Sequence, residues 1–223
     1  MHGSLKAADS PIRVGAKHQS GGVCVRAVFL LGLLAAFSAA MPAAASGDWQ
    51  AVEEVRPYSI SGKTGAELYE SIGANGPKAG VTGRVIAHTT FKLTWTRKYE
   101  PQGTACVIVT NRPKLIITYT LPKPAAELPG PVKSNWEVFR SGVEAHERVH
   151  GDTIKEMVKE IETMSIGLTV ADDPGCKKIR VQLTQYLDQL SKAQRQDSRD
   201  FDRVEFGRDG NMLKLIAAFL GGG

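Results

Sequence analysis

Apolar and polar residues alternate in different ways along the chain, and each texture predicts a different element. Residues 27–40, AVFLLGLLAAFSAA, are almost continuously apolar. Between 81 and 121, VTGRVIAHTTFKLTWTRKYE and TACVIVTNRPKLIITYTLP are rich in Val, Ile, Thr and aromatics, with short stretches of alternation. They read as antiparallel strands, turning at Pro101-Gln102-Gly103. From 134 onward the spacing becomes helical: Trp136, Phe139, Val143, His146, His150, Ile154, Met157, Ile161 and Met164 fall on one face. Ser134 and Glu137 form a capping box at the start of that helix, and Gly167 is its expected stop.

The remaining elements are shorter. Residues 46–56 predict an irregular entry or an edge strand. Thr64 and Glu67 make another capping box, T-x-x-E, opening a short helix to about Ile72, and Asn75-Gly76-Pro77 ends it. LPKPAAELPGPVK (121–133) reads as a proline-rich connector. A later helix starts near Lys177, with Ile179, Leu183, Tyr186, Leu187 and Leu190 on one face, and runs into SRDFDRVEFGRDG. The tail NMLKLIAAFLGGG is apolar but too short to span a bilayer. There is no internal repeat. The expected fold is α+β: a small antiparallel sheet packed on a long helix, with a C-terminal helix beside them.

Composition supports a packed core, with 42% apolar and 23% charged residues in 223. The apolar run near the N-terminus follows Lys6, Arg13, Lys17 and Arg26 and precedes MPAAASGDW. That order predicts a secretory signal peptide over residues 1–45, cut after Ala45 with Ala43 and Ala45 as the small residues. The alternative is a membrane anchor, for which the run is short. The long n-region also allows a start codon further downstream. The mature domain would be residues 46–223, placed in the periplasm or outside the cell, with no stable membrane span.

Cleavage changes the charge picture. The net charge of +5 comes from 28 basic and 23 acidic residues; the leader holds four of the former and one of the latter, Asp9, which leaves +2. No Lys/Arg cluster interleaved with aromatics remains, so nucleic acid is not an expected partner. Cys24 leaves with the leader, and Cys106 and Cys176 stay as an even pair in a chain bound for an oxidising compartment. They are expected to form a disulfide.

The candidate chemistry lies in residues 146–150, HERVH. On a helix, residues four apart share a face, so His146 and His150 can aim both imidazoles at one point. Two such nitrogens suit Zn²⁺. Glu147 is turned by about 100° from His146, which lets it miss the metal and take a proton from water. H-E-x-x-H on a helix is a known metalloprotease pattern. The bland alternative is a pair of hydrogen-bonded histidines on a charged helix; the capped helix, the inward face and the export signal favour the metal. Gly151, directly after the second histidine, marks either close approach of a neighbour or a tolerated glycine.

A catalytic zinc needs a third protein ligand. The metzincin pattern requires Gly and His where this chain has Thr153 and Glu156, so that class is excluded. His88 is one candidate. Asp202 and Glu205, three apart on one helix face, are the better group. Glu205 is the expected ligand, giving a His₂Glu set, with Asp202 behind it or as its alternate.

The mature chain resembles a bacterial family described as predicted secreted zinc-dependent proteases, long filed as a domain of unknown function. The matching features cover most of residues 58–210: YSISGKTGAEL with a later GP, the strand holding Trp95, Cys106, TYTLP, AHERVH, Cys176 and FDRVEFG. AHERVH is the specific element. The resemblance implies a zincin-like metallopeptidase domain, with His146 and His150 as ligands, Glu147 as catalytic base and the Cys106–Cys176 pair. Many members close with an aromatic-Asp pair followed shortly by His-Gly. This chain keeps Phe201-Asp202 and has no such histidine, so either Glu205 replaces it or full metal binding is lost.

These readings lead to one expected function: zinc-dependent hydrolysis of a peptide or protein substrate outside the cytoplasm. A zinc amidase or endopeptidase acting on cell-wall peptide is an alternative within the same chemistry. A non-catalytic envelope binding module with a vestigial metal site is the alternative outside it.

Overall fold

The computed structural model describes residues 49–79 and 83–221. The expected leader lies outside them. Among the described residues, the architecture is mixed α+β, with a small sheet and four helices. The order is β1 (Val52–Ile60), α1 (Gly65–Asn75), β2 (Lys78–Ala79), β3 (Gly83–Arg84), β4 (His88–Gln102), β5 (Ala105–Pro124), α2 (Gly130–Ser165), β6 (Thr169–Val170), α3 (Lys178–Glu205) and α4 (Asn211–Gly221).

Strand β5 is the centre of the sheet, whose order is β1-β5-β4. Its alternation buries Leu115, Ile117, Tyr119 and Leu121 on one face, where the helices pack. The β4–β5 hairpin turns at Gly103, whose φ of 61° suits glycine, close to the predicted turn. The all-antiparallel expectation is corrected by β1, which runs parallel to β5 from Val52↔Ile116 to Ile60↔Pro124. Parallel neighbours require a long connection, here α1, the β2–β3 ribbon and β4, and such remote pairing leaves no local mark in sequence. Both β1 and β4 are edges of this path.

Helix α2 is the spine. It runs for 36 residues and begins at Gly130, before the predicted Ser134 start. Pro131 presets the first turn, and Val132 reaches the core, so burial extends the helix past the capping box. Ser134 is left inside, with its hydroxyl 3.4 Å from the Gly130 carbonyl. At the other end Gly167, with φ 82°, follows the last turn as expected. The proline-rich connector is shorter than predicted because β5 continues through Leu121 and Pro122, both buried.

The Thr64 cap is used: its Oγ1 accepts from the Glu67 amide (3.2 Å), while the Glu67 carboxylate accepts from Lys63 N (2.6 Å). The apolar tail forms α4 and folds back onto α2, stacking Phe219 on Phe139 with centroids 4.4 Å apart. A second core gathers around the Cys106–Cys176 disulfide with Ile108, Ile179 and Leu183, and joins β5 to the start of α3. Among the described residues, no helix is long and apolar enough to cross a membrane.

Candidate metal centre

His146, Glu147 and His150 lie midway along α2, where the buried stripe passes from Val143 to Ile154. The helix stacks the two imidazoles one turn apart, with Nε2 atoms separated by 3.2 Å. Asp202, near the end of α3, brings Oδ1 to 3.0 Å from His150 Nε2 and 3.2 Å from His146 Nε2. The three donor atoms form a nearly equilateral triangle. Among the described residues, this is the group of three His/Cys/Asp/Glu side chains able to hold a metal ion.

The triangle has the dimensions of a tetrahedral cation site. Donors around a tetrahedral zinc at 2.0–2.1 Å lie about 3.3 Å from one another. Hydrogen bonds alone satisfy the arrangement less well. Each Nε2 carries one proton or one lone pair, in its ring plane, and the two nitrogens face each other as well as the carboxylate. A cation between the three would take one lone pair from each donor atom and leave a fourth direction open.

Glu205 lies elsewhere than expected. Its Oε2 is 3.7 Å from His146 Nδ1, the ring nitrogen turned away from the triangle, and its Oε1 accepts from Asn211 Nδ2 (2.8 Å). That Nδ1 is buried and has no hydrogen-bond partner. Asp202 therefore takes the position expected for Glu205, and Glu205 stands behind His146. The exchange follows from helical geometry. Asp202 and Glu205 share a face, but α3 crosses α2 so that the earlier residue meets the Nε2 atoms and the later one passes beyond. His88 lines the same cavity and is not part of the cluster.

Charge and packing hold this geometry. Burial works against the Asp202 carboxylate, yet hydrogen bonds from His146 and His150 keep it well below the usual range. Burial also disfavours protonated His150, and the Asp202 carboxylate outweighs this and raises its pKa. Phe201 stacks on the His146 ring at 4.8 Å, and Phe206 meets it edge-on at 5.5 Å.

Glu147 is buried, and its Oε2 accepts a 2.6 Å hydrogen bond from Thr89 Oγ1 on β4. Thr89 also lies 3.1 Å from the Glu147 carbonyl, so the first residues of β4 fix both backbone and carboxylate. Gly151 resolves in favour of close approach: a Cβ there would overlap the Tyr119 hydroxyl on β5. That hydroxyl donates to Glu53 (3.1 Å), which also pairs with Arg148 and Lys155 at 2.9 Å each. Burial, first of all, raises the Tyr119 pKa to about 12. This network clamps the far side of α2 to the sheet.

The triangle opens into a cavity of about 440 Å³. Its walls are Phe91 from β4, Phe206, Met212, and the α3 residues Gln194, Arg195 and Ser198. Sequence reasoning missed Thr89, Phe206 and this α3 wall. Thr89 adjoins the noted His88, but nothing local linked it to Glu147. Arg195 and Ser198 precede Asp202 by seven and four residues, the spacing of one helix stripe, which becomes a signal only once Asp202 is known to face the site.

Residues 55–209 match the family model described as Bacterial protein of unknown function (DUF922). No curated protein and no solved structure matches the chain. The matched span holds all of the sheet but the first three residues of β1, the two cysteines and all four residues at the triangle and the adjoining carboxylate, so the chain belongs to this bacterial family of unknown function.

Proposed function

We propose that this protein is a zinc-dependent peptidase of zincin-like construction, acting outside the cytoplasm. The observation that carries the reading is the convergence of His146, His150 and Asp202 beside a buried Glu147. In this reading His146, His150 and Asp202 hold the ion, and Glu205, 3.7 Å from His146 Nδ1 and not hydrogen-bonded to it, places a negative charge behind that ring. When bound, zinc supplies Lewis acidity that polarises a carbonyl and acidifies water.

The chain's own residues supply the rest. Glu147 accepts the proton of the attacking water as its oxygen bonds to the scissile carbonyl carbon. It then delivers that proton to the leaving nitrogen as the C–N bond breaks. Thr89 holds the carboxylate in one rotamer, so this transfer needs no search. The apolar wall of Phe91, Phe206 and Met212 excludes water and accepts an apolar side chain. The edge of β4 borders the same cavity and can receive an extended peptide by strand addition. The Cys106–Cys176 disulfide supports an oxidising location.

The test is hydrolysis by the purified chain. Zinc-loaded protein should release new amino groups from casein or from purified sacculi. A chelator should stop this, and added zinc should restore it. Zinc-loaded, folded protein that cleaves neither would contradict the reading.

A further inference from the structure

We propose that Arg195 makes this cavity selective for peptides that carry a carboxylate about three to five residues from the scissile bond. The inference rests on the peptidase reading for its geometry. Arg195 is the cavity lining's permanent cation among the described residues. Its Nη1 donates to Ser191 Oγ (2.6 Å), and it has no carboxylate partner among them.

Several neighbouring cations differ, and Arg199, which likewise has no carboxylate partner among the described residues, lies outside the cavity lining. Arg148 pairs with Glu144 and Glu53, Lys155 with Glu53 and Asp152, Lys192 with Asp188, and Arg203 with Asp200. The acids of the cavity are also engaged: Asp202 by both histidines and Glu147 by Thr89. Arg195 is left as an exposed, unneutralised guanidinium at the rim of the cavity, where no neighbouring acid competes with a substrate carboxylate for it.

Position gives the spacing. Arg195, Ser198 and Asp202 fall on one stripe of α3, so the Arg195 backbone lies about 10 Å along the helix from Asp202, and its guanidinium, turned back toward Ser191, up to about 16 Å. An extended peptide advances about 3.3 Å per residue, which places the matched carboxylate about three to five residues from the bond cut. Ser198 and Gln194, between and beside them, offer hydrogen bonds to the intervening backbone. A guanidinium grips a carboxylate through two parallel N–H bonds, so an acidic side chain or a free chain terminus would serve.

The experiment uses the full mature chain with Glu147→Gln, loaded with zinc, and acetylated Ala/Phe hexapeptides. One amidated peptide carries Asp three residues from its centre, a second carries Asn there, and a third is the Asn peptide with a free C-terminal acid. Binding is followed by calorimetry. At least one carboxylate peptide should bind about threefold to tenfold more tightly than the amidated Asn peptide. Arg195→Ala should erase the difference, Arg195→Lys should keep part of it, and Arg195→Glu should favour a Lys peptide. Equal affinities, a preference that survives Arg195→Ala, or no binding of any peptide would overturn the proposal. The two readings fail separately. Carboxylate-selective binding without cleavage by the Glu147 protein removes the peptidase and keeps the selectivity. Cleavage of all three peptides with equal KM removes the selectivity and keeps the peptidase.

Discussion

Helix α2 buries side chains from Val132 to Ser165, whereas α3 buries only Ile179 and Leu183, both in its first two turns. Yet each helix delivers part of the same triangle. The α2 half is fixed locally, by the core on one side and by the Gly151–Tyr119 contact and the Glu53 network on the other. The α3 half is fixed at a distance. Cys176 is bonded to β5 just before the helix begins, and the Asp173 carboxylate caps the first turn by accepting from Lys177 N (2.7 Å) and Ile179 N (2.9 Å). Arg180 also packs over the Tyr99 ring at 4.0 Å. Asp202 lies about seven turns beyond that anchor. A site built this way has two candidate ligands preset by a rigid element and a third carried on a lever, and a bound ion would tie the lever down.

The largest expected effect concerns the rigid half. Glu147→Gln should lower the hydrolysis rate by about 10²–10⁴-fold, the usual worth of a positioned general base, while zinc content and melting temperature stay near wild type. A steady-state assay beside metal analysis checks this, and a rate within about threefold of wild type would remove Glu147 from the chemistry.

The next effect concerns the lever. Cys176→Ser should cost about 2–5 kcal/mol in chemical denaturation. Amide exchange should rise first along α3 and last in α2. Uniform loss of protection would mean that the disulfide serves the whole fold and not α3 in particular.

These two halves also differ in how far sequence revealed them. The His146–His150 pair and the inward face of α2 follow from spacing alone, because the relevant contacts lie within one helix. The hairpin, the Thr64 cap and the Cys106–Cys176 bridge were legible for similar reasons: a turn signal, a local box and an even cysteine count. The choice between Asp202 and Glu205 was not. Both lie on the facing stripe of α3, and the crossing of α3 over α2 selects between them. The parallel pairing of β1 and the Thr89–Glu147 contact join remote segments in the same way.

A smaller effect sharpens the account of the α2 clamp. Gly151→Ala should cost about 1–3 kcal/mol, since a methyl cannot share space with the Tyr119 hydroxyl. Adding Tyr119→Phe should recover part of that loss. No recovery in the double variant would place the strain elsewhere.

The smallest effect is a pH dependence in the metal-free chain. His150 has a raised pKa, so its stabilising contribution is full below its ordinary value and fades as pH rises through the raised one. Asp202 has a depressed pKa, so its contribution is full above its ordinary value and fades as pH falls through the depressed one. The gap in melting temperature between wild type and Asp202→Asn should therefore be widest between about pH 4 and 6.5. A gap that is flat across that range would show that the pairing adds nothing without metal.

The proposed metal site joins α2 and α3 through His146, His150 and Asp202. Metal content tests it most directly: the chain is expressed in an oxidising compartment, purified without chelator or His tag, and analysed by mass spectrometry beside Asp202→Asn and Glu205→Gln. About one zinc per wild-type chain is expected, with its loss in Asp202→Asn and its retention in Glu205→Gln. A folded wild-type protein that takes up no metal when zinc is supplied, or full binding in Asp202→Asn with loss in Glu205→Gln, would contradict it.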